Sequence, residues 1–235
     1  MVQRFYVEGP LADGASTVDL PPAVVHQVVA VLRMRVGDAV VIFDESGREW
    51  EGVLAEVTRH GARVRLQGVT VPQREAVRRV TLCQALLKAD KMEWVLQKGT
   101  ELGVARFEPL LTERVVAAKR EAPERWRRIL VEATEQCGRT RVPELVQPVP
   151  LQEALGGAAT QVVCWEGEHE RALAAWLAVD RPSELRLFIG PEGGFSEREA
   201  NLARERDAVT VSLGPRILRA ETAAVAASAL ALLAP

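Results

Sequence analysis

The stretch Phe188–Asn201, FIGPEGGFSEREAN, decides how this chain is read. An apolar run from Leu185 to Ile189 reads as a buried strand and stops at Gly190-Pro191. Gly193 and Gly194 follow, and then a helix start. Ser196 and Glu199 have the spacing of a capping box, in which each side chain satisfies a backbone N–H that the first helical turn leaves open. A strand that feeds a helix through a glycine-rich loop belongs to an α/β sheet, and in open α/β sheets ligands bind outside the carboxyl ends of the strands. Glycine suits such a loop because it takes positive φ and brings no Cβ between backbone and ligand.

The same rhythm extends in both directions. VTLCQALL, from Val80, reads as a buried strand. ADKMEWVLQKGTELG has helical spacing, with Met92, Val95, Leu96 and Leu102 on one face and Gly103 as its stop. EAPERWRRILVEATEQCG is a second helix. Pro123 lies in its first turn, Trp126, Ile129, Leu130, Ala133 and Cys137 line one face, and Gly138 ends it. Strands QVVCW, LRLFI and VTVSL then alternate with helices ERALAAWLA, SEREANLARE and ETAAVAASALALLA. That alternation predicts an α/β domain with a mostly parallel sheet.

The first 70 or so residues read differently. AVVIFDESGREWEGVLAEV holds two β-type runs around Ser46-Gly47, a hairpin signal, and GARVRLQGVTV alternates apolar and polar residues. PPAVVHQVVAVLRMR is the one helical stretch, opened by Pro21-Pro22. The polar, proline-containing VPQREAVRR marks a boundary, giving a β-rich domain over 1–72 and an α/β domain over 73–235.

Composition narrows the class. The 235 residues are 48% hydrophobic, with near-zero mean hydropathy, which fits a soluble globular protein. No apolar run is long enough to span a bilayer, and MVQRFYVEGP lacks the apolar core of a signal peptide, so the expected location is the cytoplasm. Cys83, Cys137 and Cys164, with His26, His60 and His169, show no metal-binding spacing, and no metal is expected. Net charge is −2, unevenly spread. Residues 73–150 carry 15 Lys+Arg against 11 Asp+Glu, while the segments before and after are net acidic. A basic middle can be a polyanion footprint or a set of solvated helix faces. Asn201 is the only Asn and the basic residues are nearly all Arg, which fits a thermophile or a GC-rich genome.

Three strand ends bear glycine: CWEGE after Val163, GPEGGFS after Ile189 and LGPRILRAET after Ser212. The Gly-Lys-Ser/Thr of a P-loop and the dinucleotide fingerprint are both absent, which disfavours a nucleotide-cofactor oxidoreductase. Glu192 inside the loop would repel phosphate. A ligand with a cationic centre and polar edges fits better, and S-adenosylmethionine, a sulfonium, is such a ligand. The plain alternative for each loop is an ordinary strand-to-helix turn.

FIGPEGGFSEREAN together with SLGPRILRAETAAVAA resembles the small-subunit (16S) ribosomal RNA uridine-N3 methyltransferase family, of the SPOUT class. LLKADKMEWVLQKGTELGV, TERVVA, ERWRRILVEATEQCGRTRVPE, RFYV and VLRMRVGD look like blocks of the same family, so the likeness covers nearly the whole chain. Val25 and Cys137 depart from its usual histidine and serine. The resemblance implies a PUA-like RNA-binding β-barrel over 1–72. It implies a SPOUT methyltransferase domain with a deep trefoil knot over 73–235. It also implies a homodimer that uses S-adenosylmethionine to methylate N3 of a uridine in 16S rRNA of the assembled small subunit. Two alternatives remain: a SPOUT enzyme for another RNA nucleotide, such as a tRNA position, and an RNA-binding or ribosome-assembly factor without turnover.

On this resemblance Gly190, Pro191, Glu192, Gly193 and Gly194 form one wall of the cofactor site, and Leu213, Gly214, Ile217 and Leu218 its adenine side. Glu166 is a further candidate. Uracil N3 is protonated at neutral pH, so the enzyme has to orient it and stabilise the charge left on O2 and O4. Arg219 is the candidate for that charge, and Glu221 is either the proton acceptor or the partner that fixes Arg219. The alternative for the pair is a salt bridge at a helix start. Glu135, Gln136 and Arg139 are placed near the target nucleotide by the same resemblance, or on a solvated helix face. Lys88, Lys98, Arg114 and Arg139 are candidates for phosphate contacts, with Arg4, Arg33 and Arg35 on the barrel. Trp94, Trp126 and Trp176 are expected in core or interface packing, since aromatics are only 5% of the chain and broad base stacking needs more.

Overall fold

The computed structural model describes residues 2–12, 14–115 and 121–233. The tail of the TERVVA block, Val116 and Ala117, lies outside them. The chain divides into two units, one of Met1–Glu75 with Thr134–Val142 and one of Ala76–Ala133 with Pro143–Pro235.

The first unit contains β1 (Gln3–Tyr6), β2 (Thr17–Asp19), α1 (Pro22–His26), β3 (Ala39–Phe43), β4 (Glu49–Val57) and β5 (Ala62–Thr70). Its sheet runs β1-β3-β4-β5-β2, parallel between β1 and β3 and antiparallel elsewhere. The predicted hairpin is β3–β4, and Gly47 at φ +88° supplies the left-handed turn residue that its tight connection needs. The inward strand residues Phe5, Ile42, Leu54 and Val64 are fully buried, the pattern of strands with one covered face, and Val28 of the helical segment joins their core. Pro22 opens α1, and the helix then widens into a π turn, Gln27–Val31, which the sequence pattern did not distinguish from α.

The second unit contains β6 (Arg79–Ala85), α2 (Ala89–Leu102), β7 (Arg106–Leu111) and most of α3 (Glu124–Cys137). It continues with β8 (Glu144–Leu145), β9 (Val149–Pro150), α4 (Leu151–Ala154), β10 (Thr160–Cys164) and α5 (Leu173–Asp180). β11 (Glu184–Ile189), α6 (Glu197–Glu205), β12 (Val209–Val211) and α7 (Ala220–Leu233) complete it. The sheet order is β12-β10-β11-β6-β7-β8, with β9 also on β7, and every pairing is parallel. β11 is flanked by β10 and β6, so Leu185, Leu187, Phe188 and Ile189 are all buried, as a continuous apolar run requires. The capping box of α6 is formed: Glu199 N–H donates to Ser196 Oγ at 3.1 Å and Ser196 N–H to Glu199 Oε2 at 2.8 Å. Gly103 ends α2 at φ +106°. Trp126 is buried and Trp94 is 41% exposed.

β7 is an element the sequence hides. Its RFEPLL carries two charged residues and a proline where a central strand should be apolar. The far side of β7 pairs with β8 at Arg106–Phe107 and with β9 at Leu110–Leu111. The gap between them falls at Glu108–Pro109, where a residue without an N–H costs no ladder bond. Glu108 is buried there and accepts from Arg186 Nη2 at 2.7 Å.

Candidate cofactor and RNA site

The loops after β10, β11 and β12 enclose a cavity of about 250 Å³ at the carboxyl ends of their strands. Glu166, Gly190, Pro191, Glu192, Gly194, Leu213, Gly214, Ile217 and Leu218 line it, all of them singled out from sequence. Gly193 is not among the lining residues. It is exposed, and its carbonyl accepts from Arg114 Nη1 at 2.6 Å, so it ties the loop down from outside. Gly190 is where the absence of a side chain matters most. A Cβ there would stand 3.0 Å from Phe195 N and 3.1 Å from Gly194 C, both backbone atoms. Gly214 sits at φ +111°, a conformation open to glycine and strained for other residues. Trp165, His169, Phe195 and Arg216 also line the cavity. Sequence reasoning passed over them, although the same three glycine loops carry or adjoin them.

The lining fits a cationic ligand with a flat apolar part. Glu166 and Glu192 bring two carboxylates, and Glu166 Oε2 lies 3.4 Å from where a Cβ on Gly194 would be. Ile189, Leu213, Ile217 and Leu218 supply apolar surface. Cys164 also lines the cavity, and burial pushes its thiol up to about 12, so it stays protonated and is no nucleophile. Beside the cavity, Glu168 is pulled down to about 2, first by the Glu170 N–H, then by the Thr210 hydroxyl and the Arg171 N–H. A wider recess of about 630 Å³ lies near the amino ends of β6 and β7, lined by Arg79, Arg106, Glu108 and Arg186. Its Arg186 is bonded to Glu108 and to the Ala154 and Gly156 carbonyls, so its charge is already engaged.

Arg219 is exposed and stands just ahead of α7, between the lining residues Leu218 and Ala220. Glu221, in the first turn of α7, faces a residue that the sequence did not suggest. Lys91 Nζ lies 3.2 Å from Glu221 Oε2 and 3.7 Å from Glu192 Oε1. That buried Glu221 oxygen accepts no hydrogen bond among the described residues, so the Lys91 contact is an ion pair by distance rather than an aligned bond. Among the described residues no ion pair joins Glu221 to Arg219, and the expected mutual fixing is replaced by the Lys91 contact.

Three RNA candidates have partners within the first unit. Arg4 has a side chain 14% exposed, pairs through Nη1 with Glu49 and donates through Nη2 to the Arg139 carbonyl at 3.0 Å. Arg139 is 6% exposed and grips Glu75 through Nε at 3.0 Å and Nη2 at 2.6 Å. Glu135 accepts from the Tyr6 N–H at 2.9 Å. These side chains join Thr134–Val142 to the β-rich part of the first unit, which is why a segment assigned by sequence to the second domain belongs with the first. Arg139 is buried and Arg4 and Glu135 are half-buried, and the two guanidinium groups are engaged by carboxylates of the first unit. Lys98 is paired with Glu101, one helical turn on, at 2.8 Å. Arg33, Arg35, Lys88 and Gln136 are exposed, and Arg33 holds a left-handed backbone at φ +54°. No group of three or more His, Cys, Asp or Glu among the described residues is placed to hold a metal ion. No described helix is long and apolar enough to cross a membrane.

A family described as RNA methyltransferase domain matches residues 73–232, and one described as RNA methyltransferase PUA domain matches residues 23–67. The ribosomal RNA small subunit methyltransferase E of Bacillus subtilis is 34% identical, over 94% of this chain and 93% of its own length. A methyltransferase from Legionella pneumophila, solved in complex with S-adenosylmethionine, superposes with a TM-score of 0.88 at 33% identity, covering 98% of this chain and 96% of its own. The ribosomal RNA small subunit methyltransferase E of Neisseria gonorrhoeae, bound to S-adenosyl methionine, gives 0.82 at 34% identity, over 97% and 96%. The chain belongs to the ribosomal RNA small subunit methyltransferase E family, with a PUA domain ahead of a SPOUT methyltransferase domain.

Proposed function

We propose that this protein transfers a methyl group from S-adenosylmethionine to N3 of a uridine in 16S rRNA, acting on the assembled small subunit. The observation that carries the reading is the cavity at the ends of β10, β11 and β12: glycine-walled, lined by Glu166 and Glu192, and flanked by the exposed Arg219. Relatives at 33 and 34% identity over nearly the whole chain hold S-adenosylmethionine, which supports the choice of donor.

When bound, S-adenosylmethionine would supply an electrophilic methyl to N3 and become its neutral thioether, with the N3 proton passing to water. The protein's own part is to bind, orient and stabilise charge. Glu166 and Glu192 favour a cation in the cavity. The loop backbone from Gly190 to Gly194 and the side chains of Leu213, Ile217 and Leu218 hold the flat part of the donor. Arg219 stabilises the negative charge on uracil O2 and O4 as the proton leaves, a donor aimed at developing charge. Of the two roles read for Glu221, the fixing of Arg219 finds no ion pair among the described residues; its carboxylate is engaged by Lys91 instead. Lys88, Arg33, Arg35 and Gln136 are the exposed candidates for RNA contact, and Arg114 has one guanidinium edge left after its bond to Gly193.

Two further features belong to this reading. The trefoil knot is supported by connectivity: β12 returns past β11 to pair on the far side of β10, and α7 then packs on β6 and α2. A homodimer is supported by Ile217, an apolar side chain 83% exposed at the cavity, which a second copy would cover.

The test is methyl transfer from labelled S-adenosylmethionine to small ribosomal subunits lacking the modification, and to bare 16S rRNA, with nucleoside analysis. N3-methyluridine from subunits is the expected product. Absence of label in every ribosomal substrate, in a preparation that binds the donor, overturns the rRNA assignment.

A further inference from the structure

Lys91 is the third residue of α2, where a cation is opposed by the positive end of the helix dipole. Its side chain is nevertheless only 26% exposed, and its ammonium is placed between two carboxylates. Glu192, 38% exposed, belongs to the cavity-lining loop after β11. Glu221, 16% exposed, belongs to the first turn of α7, directly after the loop that carries Leu218 and Arg219. Lys91 therefore touches both segments that flank the cavity mouth, from a helix that is itself packed on α7.

We infer that Lys91 is a positioning residue of this site: its ammonium clasps Glu192 to Glu221 and holds the loop after β11 in register with the Arg219 segment. The inference rests on the reading of the cavity as a cofactor site. The clasp acts on where the loop stands, not on the charge of the ligand. It therefore supports the sulfonium donor and its neutral thioether product, S-adenosylhomocysteine, to the same extent. A lysine that merely offset Glu192 electrostatically would act unequally on these two ligands, because they differ by one charge at sulfur.

The experiment is calorimetric binding of both ligands to wild type, Lys91→Met, Lys91→Arg, Glu192→Gln and the Lys91→Met/Glu192→Gln double variant, with thermal unfolding of each. Lys91→Met keeps the aliphatic stem and removes the charge. The clasp predicts a loss of about tenfold for both ligands, equal within about twofold, and recovery to within about threefold in Lys91→Arg. On S-adenosylhomocysteine, Glu192→Gln should lose as much as Lys91→Met, and the double variant no more than either, because one shared contact is removed. In steady state KM for the donor rises with the binding loss, while kcat at saturation stays within about threefold. Wild-type affinity in Lys91→Met, a loss confined to one ligand, or additive losses in the double variant each overturn the clasp. Should Lys91→Met fail to fold, wild-type affinity for S-adenosylhomocysteine in Glu192→Gln overturns it alone. A wild-type protein that binds neither ligand overturns the cofactor reading itself, and the clasp with it.

Discussion

Arg139 in the first unit and Arg219 in the second invite comparison. Both lie beside a helix end, Arg139 after α3 and Arg219 before α7. Arg139 has a side chain 6% exposed, bonded twice to Glu75, with its carbonyl held by Arg4. Arg219 is exposed and borders a cavity lined by two carboxylates. One arginine holds the chain together and the other is presented to a ligand. Residue type does not separate them; a bonded carboxylate partner does. Around Arg139, the ion pairs of Arg4 and Arg74 with Glu49 extend the same internal network, and the carboxyl of Glu49 is lowered by its bonds to Arg4 and Arg74 against the raising effect of burial. Around the cavity the glycines keep side chains away instead.

Substitution breaks the comparison in opposite directions. Arg219→Ala should leave folding intact and cut single-turnover methyl transfer by about 10²–10³-fold, the usual scale for one lost donor to developing charge. The melting temperature should stay within about 2 °C, since an exposed side chain is removed. Arg139→Ala should do the reverse. It strands Glu75, while the backbone carbonyl that Arg4 bonds remains, and should lower stability by about 2–4 kcal/mol in chemical unfolding. Methyl transfer per folded molecule should stay within about twofold. Wild-type transfer in Arg219→Ala, or wild-type stability in Arg139→Ala, would erase the distinction.

The smallest effect is acid-dependent. The carboxyl of Glu168 is held at about 2 in the folded protein, below the ordinary 4.5. Its stabilising contribution is therefore present above pH 4.5 and fades as pH falls toward 2. Glu168→Gln should melt lower than wild type at neutral pH, by a few degrees at most, and the gap should close over that window. A gap of constant size from pH 7 to about 2 would show that the Glu168 bonds are not what the carboxyl charge holds.

How far the sequence could be read follows from the range of each interaction. Local signals came through. The Ser196–Glu199 capping box, the Gly103 helix stop and the Ser46-Gly47 hairpin are decided within a few residues, and all are formed. β7 was not legible because Glu108 and Pro109 break the strand pattern, and what permits them is a gap between β8 and β9 far along the chain. The cavity glycines could be found because backbone geometry imposes them locally. Lys91 could not, since its partners Glu192 and Glu221 lie about 100 and 130 residues away, and nothing near Lys91 signals them. For the same reason the sequence offered Arg4, Glu135 and Arg139 as RNA contacts: Glu49, Tyr6 and Glu75, which engage them, are distant in the chain.

The most direct test of the cavity reading is a calorimetric titration of S-adenosylmethionine into wild type and Gly190→Ala, with unfolding curves for both. A Cβ on residue 190 would meet the Phe195 N and Gly194 C at 3.0 and 3.1 Å, so the loop has to shift while the sheet beneath it remains. The account predicts one site per chain in wild type. In Gly190→Ala it predicts affinity weaker by tenfold or more, with cooperative unfolding retained. Equal affinity in the two proteins, or no binding in wild type, would contradict it.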